Sequence, residues 1–113
     1  MKDLFVCYAG EVRSPMAVEI AKRLAGDKGI DNYEAESCSI VVLASRFVDE
    51  RIFGKYDRVF VMEPPFKDTL LKRNVPEAKI IILDVVGELE RSREDVRGEL
   101  ERKLRIHFEN KAT

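Results

Sequence analysis

Hydrophobic positions along the chain fall into two alternating kinds of segment. Dense, short apolar runs rich in β-formers occupy residues 2–7, 33–40, 58–62 and 79–83, each of strand length. Between them the apolar residues recur at helical spacing. Met16, Ile20 and Leu24 repeat together with Ala17, Ala21 and Ala25, and Gly26 and Gly29 punctuate the end. Ser14 in the N-cap position and Pro15 at the first helical position mark the start of this helix. A second helix is expected over residues 45–53, although Val41, Val42 and Leu43 can equally extend the strand before it. A third opens at Pro64 and Pro65 and runs to about residue 74, with Pro76 beyond its end. In the last helix Val96, Leu100, Leu104 and Phe108 recur every fourth residue. Ser92 followed three positions later by Asp95 resembles a capping box with Asp in place of Glu.

Four strands alternating with helices predict an α/β fold: a four-stranded parallel sheet with helices on both faces and right-handed crossovers. In a chain of 113 residues this is one domain, and no repeat, linker or low-complexity segment divides it. The simplest strand order is 2-1-3-4. Connections then leave the first strand in opposite senses, which makes its carboxyl end the switch point where ligands bind in open α/β sheets. Cys7 stands at that end.

Charge sharpens the picture. Lys+Arg is 20 and Asp+Glu is 21, a formal net charge of -1, so no general attraction to nucleic acid or to anionic lipid is expected. Any anion site must be local. The longest apolar stretches, residues 39–44 and 80–83, are far short of a membrane span, and the first residues are too brief for a signal-peptide core. A cytoplasmic protein is the expectation. The two cysteines, Cys7 and Cys38, allow at most one disulfide, and in a reducing compartment they are expected to be thiols.

The chemistry concentrates where the fold predicts a ligand. From residue 7 the chain reads Cys7, Tyr8, Ala9, Gly10, Glu11, Val12, Arg13, Ser14, Pro15. A loop of this length between a strand end and a helix start can turn several backbone N–H groups inward as an anion-binding nest, which suits a phosphate held by residues 8–14. Gly10 can adopt the positive φ such a nest uses. Arg13 adds a planar cationic fork, and the helix directs its positive end at the same point. That field favours a thiolate at Cys7, and the Ser14 hydroxyl can donate to the sulfur. No His/Asp cluster suggests a metal, and no cofactor is expected. Asp84, after the fourth strand, should emerge at the same sheet edge and serve as a proton donor. Glu88 and Glu11 are the alternatives.

This pattern resembles the low-molecular-weight protein tyrosine phosphatases, a family with Cys-x5-Arg-Ser/Thr near the N-terminus followed by Pro. The resemblance extends over nearly the whole chain. The segment from Tyr56 to Glu63 is similar to the family's third strand with its Met-Asp ending, and Ile81, Ile82, Leu83, Asp84 and Gly87 are similar to the strand and loop that carry its general acid. The resemblance implies that Cys7 attacks phosphorus, Arg13 binds the phosphoryl oxygens and Asp84 protonates the leaving group. It also implies a phosphorylated protein or small phosphomonoester as substrate.

Departures stand beside it. The family's Asp-Pro and following aromatics are here Asp84, Val85, Val86 and Gly87, so two cleft walls are missing, for which Tyr8 and Phe47 are candidate replacements. Val12 stands where the family often has a second cysteine. Two competing functions remain open at this point: an arsenate reductase-like redox enzyme using Cys7 and Cys38, and a phosphate-binding module without turnover. A Cys–His hydrolase fails on His107, the only histidine, which lies beside the apolar stripe of the last helix.

Overall fold

A strand buried on both faces must be apolar on both, and the first strand is. β1 (Lys2–Cys7) is buried from Asp3 onward, as expected of a central strand in a parallel sheet. It pairs in parallel with β2 (Glu34–Ser39) on one side and with β3 (Arg58–Val61) on the other, and β3 pairs with β4 (Ile80–Ile82). The order is β2-β1-β3-β4, the predicted 2-1-3-4. The computed structural model describes residues 1–8, 13–45, 49–85 and 91–109. No helix among them is long and apolar enough to cross a membrane.

The pleat sends alternate side chains to two cores. Phe5 and Cys7 of β1, with Phe60 and Met62, face α1 (Arg13–Asp27) and α4 (Arg93–Arg105). Leu4 and Val6, with Val59 and Val61, face the opposite layer around α2 (Ile40–Leu43) and α3 (Pro64–Lys72). The apolar stripe of α4 is buried as its spacing requires: Val96, Leu100, Leu104 and Phe108 are all within 1% of full burial. Ser92 caps this helix, its Oγ accepting the Asp95 amide at 3.1 Å.

Two helix expectations are corrected. The first helix begins at Arg13 rather than after Ser14, which puts Ser14 and Pro15 inside the first turn. Pro15 is tolerated there because the first four N–H groups of a helix have no intrahelical partner. Its far end is as read: Gly29 at φ 69° lets the Ile30 amide reach back to the Ala25 carbonyl at 2.9 Å, a Schellman-type close. The second helix is not over residues 45–53. The chain turns helical directly after β2, at Ile40–Leu43, and a 3-10 turn follows at Glu50–Lys55, with residues 46–48 outside the described set. Strand β2 stops at Ser39 because its neighbour stops at Cys7, the residue paired with it. Val41 to Leu43 therefore have no ladder to extend, and the Ser39 hydroxyl accepts the Val41 amide at 3.0 Å to start the turn.

A buried ion pair fastens the amino-terminal end of the sheet. Asp3 is fully buried on β1. Its carboxylate accepts Nε and NH2 of Arg58 at 2.9 and 2.7 Å and the Tyr33 hydroxyl at 2.7 Å. Arg58 also donates to the His107 carbonyl at 2.9 Å and lies against the rings of Phe60 and Phe108, which ties the end of α4 to β3. Burial, and then the bond to Asp3, push the Tyr33 hydroxyl well above the usual phenol range. Removing one member leaves the other charge buried without its counterion. Asp3→Ala is therefore expected to cost about 3–5 kcal/mol, read as a lowered midpoint in urea denaturation; a midpoint within error of the parent would show that the pair contributes nothing.

Candidate active site

Parallel strands deliver their last residues to one edge, and here that edge collects the polar groups. Cys7 ends β1 with its side chain buried, and its Sγ lies 3.1 Å from the Oγ of Ser14. Ser14 is fully buried in the first turn of α1. Because Ser14 does not cap the helix, its hydroxyl is directed at the sulfur.

Arg13, the first residue of α1, is only 6% exposed. Its NH1 donates to Glu63 Oε2 at 3.0 Å and to the Val85 carbonyl at 2.7 Å. Both acceptors arrive from strand ends. Glu63 follows β3 in the N-cap position of α3, where its side chain makes no capping bond. Pro64 and Pro65 take the first helical positions and bring no N–H groups to cap, so the carboxylate is left for Arg13. Val85 follows β4, and its amide bonds the Met62 carbonyl at 2.8 Å. A guanidinium carries five N–H donors. Anchoring NH1 on two acceptors fixes the plane of the fork and leaves it with further donors than these bonds use.

The predicted residues are distributed as follows. Cys7 and Ser14 are in contact, and Arg13 directly precedes Ser14 at the start of α1. Tyr8 is exposed beside them, and its carbonyl accepts the Ser39 hydroxyl at 2.7 Å. Ala9, Gly10, Glu11, Val12, Phe47 and Glu88 lie outside the described residues. Asp84 is exposed and directly precedes Val85, the residue whose carbonyl Arg13 holds. Its backbone has φ 57°, and its carbonyl accepts Lys103 Nζ at 2.6 Å. His107 lies elsewhere, its ring edge-on to Phe60.

Glu63 and the Val85 carbonyl were not foreseen as parts of the site. The Met62-Glu63 ending was visible in the sequence as a likeness; a backbone acceptor leaves no residue-type signal at all.

Cys38 does not join Cys7. It is paired with Val6, one position before Cys7, and packs in the core on the Leu4 and Val6 side. The two thiols therefore belong to opposite faces of the sheet, and no disulfide can link them without moving a strand. Cys38 instead lines a cavity of about 150 Å³ with Leu4, Leu43, Ile52, Phe53 and Tyr56, and burial pushes its thiol up from the ordinary range.

Solved structures share this arrangement of strands and helices. A YwlE mutant from Bacillus subtilis is 23% identical, covers 96% of each chain and has a TM-score of 0.77. The YwlE arginine phosphatase from Geobacillus stearothermophilus is 20% identical over 95% of this chain and 90% of its own, with a TM-score of 0.72. Vibrio vulnificus Wzb in complex with benzylphosphonate is 15% identical over 95% and 96%, with a TM-score of 0.74. No curated protein sequence matches significantly. The family model for low molecular weight phosphotyrosine protein phosphatase matches residues 2–55. Over that segment, just under half of its length, the chain is similar to this family. The matched segment contains Cys7, Arg13 and Ser14 and ends before Glu63 and Asp84.

The anchoring of Arg13 has a measurable consequence. Glu63→Gln removes the carboxylate facing a buried cation and is expected to lower stability by about 1.5–3 kcal/mol, the range for a hydrogen bond to a charged group. Inorganic phosphate, a substitute counterion, should then raise the melting temperature more than it does in the parent. Equal stability and equal phosphate shifts in a thermal melt would mean that the Val85 carbonyl alone holds Arg13.

Proposed function

We propose that this protein is a phosphomonoester phosphatase, acting on phosphotyrosine in proteins, that works through a cysteinyl-phosphate at Cys7. The observation that carries the reading is the Cys7 sulfur 3.1 Å from the Ser14 hydroxyl, on the first turn of the helix that also begins with the anchored Arg13. The likeness of residues 2–55 to the phosphatase family supports the reaction class. Among the structural relatives is a YwlE arginine phosphatase C7S mutant with a phosphorylated active-site serine, the oxygen counterpart of the cysteinyl-phosphate proposed here.

In the first step the Cys7 thiolate attacks phosphorus as the bond to the leaving oxygen breaks, and Asp84 gives that oxygen a proton. Arg13 and the helix N-terminus hold the non-bridging oxygens, whose charge must be matched throughout transfer. The Ser14 hydroxyl donates to the sulfur and makes it a better leaving group in the second step. There water attacks phosphorus, Asp84 takes up its proton, and the Cys7 thiolate departs from inorganic phosphate. The whole cycle is metal-independent, and a cytoplasmic setting that keeps the thiol reduced suits it. Tyr8, exposed and directly after Cys7, offers an aromatic ring next to the nucleophile, which favours an aromatic leaving group.

The experiment is an assay of p-nitrophenyl phosphate and a phosphotyrosine peptide in the presence of chelator. Activity should be intact in the parent and lost in Cys7→Ser, while Cys7→Ser still binds inorganic phosphate. Activity that needs a divalent ion, or that survives Cys7→Ser, overturns the mechanism, and a preference for phosphoarginine over phosphotyrosine overturns the substrate.

Asp84→Asn should slow a phosphate ester with a poor leaving group by about a hundred- to ten-thousand-fold, the span of general acid catalysis, and an activated aryl phosphate much less. Equal losses, or a larger loss in Glu88→Gln, would move the acid away from Asp84.

A further inference from the structure

Asp84 holds a backbone conformation that a free chain seldom adopts. Its φ of 57° is in the left-handed region, open to Asp more readily than to most residues but still a minority state. Something must keep it there, and the peptide unit that follows is gripped at both ends. Its carbonyl oxygen accepts the Lys103 ammonium at 2.6 Å, and its amide, that of Val85, donates to the Met62 carbonyl at 2.8 Å. Rotating this peptide would break both bonds at once. Since the backbone sets the direction of the Asp84 Cα–Cβ bond, the grip also fixes the base from which its carboxyl reaches out.

Lys103 is itself fixed. One oxygen of Glu99, a turn earlier on α4, pairs with its ammonium at 2.7 Å, and the other pairs with Arg91 at 2.6 Å. A single carboxylate on α4 thus ties down both Asp84, through Lys103, and Arg91, directly. The Lys103 ammonium, together with the Arg91 guanidinium, holds the Glu99 carboxyl below the usual carboxylate range. The stripe that seats α4 is fully buried, so this tie is anchored on a rigid element.

We propose that Lys103, oriented by Glu99, is a positioning residue that aims the Asp84 carboxyl at the leaving-group oxygen, a role that rests on Asp84 being the general acid. Neither residue touches substrate. Their contribution is to proton donation and not to phosphate binding, which falls to Arg13 and the start of α1.

The test compares phenyl phosphate, a poor leaving group, with 2,4-dinitrophenyl phosphate, which leaves without a proton. Lys103→Met keeps the length of the side chain and removes its charge and donors. It should slow phenyl phosphate by about tenfold or more, below the ceiling set by loss of the acid itself, and 2,4-dinitrophenyl phosphate by less than about twofold. Lys103→Arg should restore most of the rate, Glu99→Gln should show the same selectivity at smaller size, and competitive inhibition by inorganic phosphate should be unchanged in all three. Residues acting as one unit are not additive, so Lys103→Met with Asp84→Asn should be no slower than Asp84→Asn alone. Equal slowing of both substrates by Lys103→Met, or losses that multiply in the double variant, would overturn the positioning role while leaving Asp84 as the acid. If Asp84→Asn shows no selectivity between the two esters, the assignment of the acid fails and the positioning role falls with it.

Discussion

Arg13 sits almost entirely out of water, and a cation in that setting is tolerated only when its donors find acceptors of good geometry. Those acceptors come from far along the chain, a carboxylate after β3 and a carbonyl after β4. One side chain at the start of α1 thus ties together the carboxyl ends of the strands that form the site edge. The thiol depends on the same constraint. Ser14 faces Cys7 because the helix begins one residue earlier, at Arg13, and Arg13 can begin it only where Glu63 and Val85 receive its charge.

Electrostatics is divided between the two ends of the sheet. At the amino-terminal end Asp3, Arg58 and Tyr33 form a closed set in which each charge meets its complement and the bonds run to the C-terminal region of α4. At the carboxyl-terminal end the Arg13 guanidinium carries more N–H donors than its bonds to Glu63 and Val85 use. The first arrangement is what a structural ion pair requires, and the second is what an anion site requires. The two faces divide as well. Cys7 belongs to the α1 and α4 side and Cys38 to the other, so the pleat of one pair of strands separates the proposed nucleophile from a thiol packed in the opposite core.

Much of this was legible from residue pattern because it follows from periodicity. The four strands and the stripe from Val96 to Phe108 are dictated by burial, which the positions of apolar residues encode directly, and the order 2-1-3-4 is the simplest one for four strands alternating with helices. Cys7, Arg13 and Ser14 were legible because their spacing fits a strand end and a helix start. The helical turn at Ile40–Leu43 was not, since Val41, Val42 and Leu43 have strand propensity and only the absence of a pairing partner beyond Cys7 makes them turn. Glu63 and Lys103 were hidden for another reason: each is a charged residue among many, and its meaning depends on which strand end or carbonyl it meets in three dimensions.

The ladder of β1 has a bearing on how the chain acquires this shape. Its partners are distant: Lys2 pairs with Glu34, and Asp3 with Arg58. No hairpin brings either neighbour close, and such non-local pairing is slow to form because chain must be ordered before contacts reward it. During synthesis from the amino terminus, β1 is made first and stays unpaired until its two neighbours have left the ribosome. The residue that becomes the best protected thiol in the native protein is therefore the one that waits longest, on a sticky and oxidisable segment, for its shelter to be built.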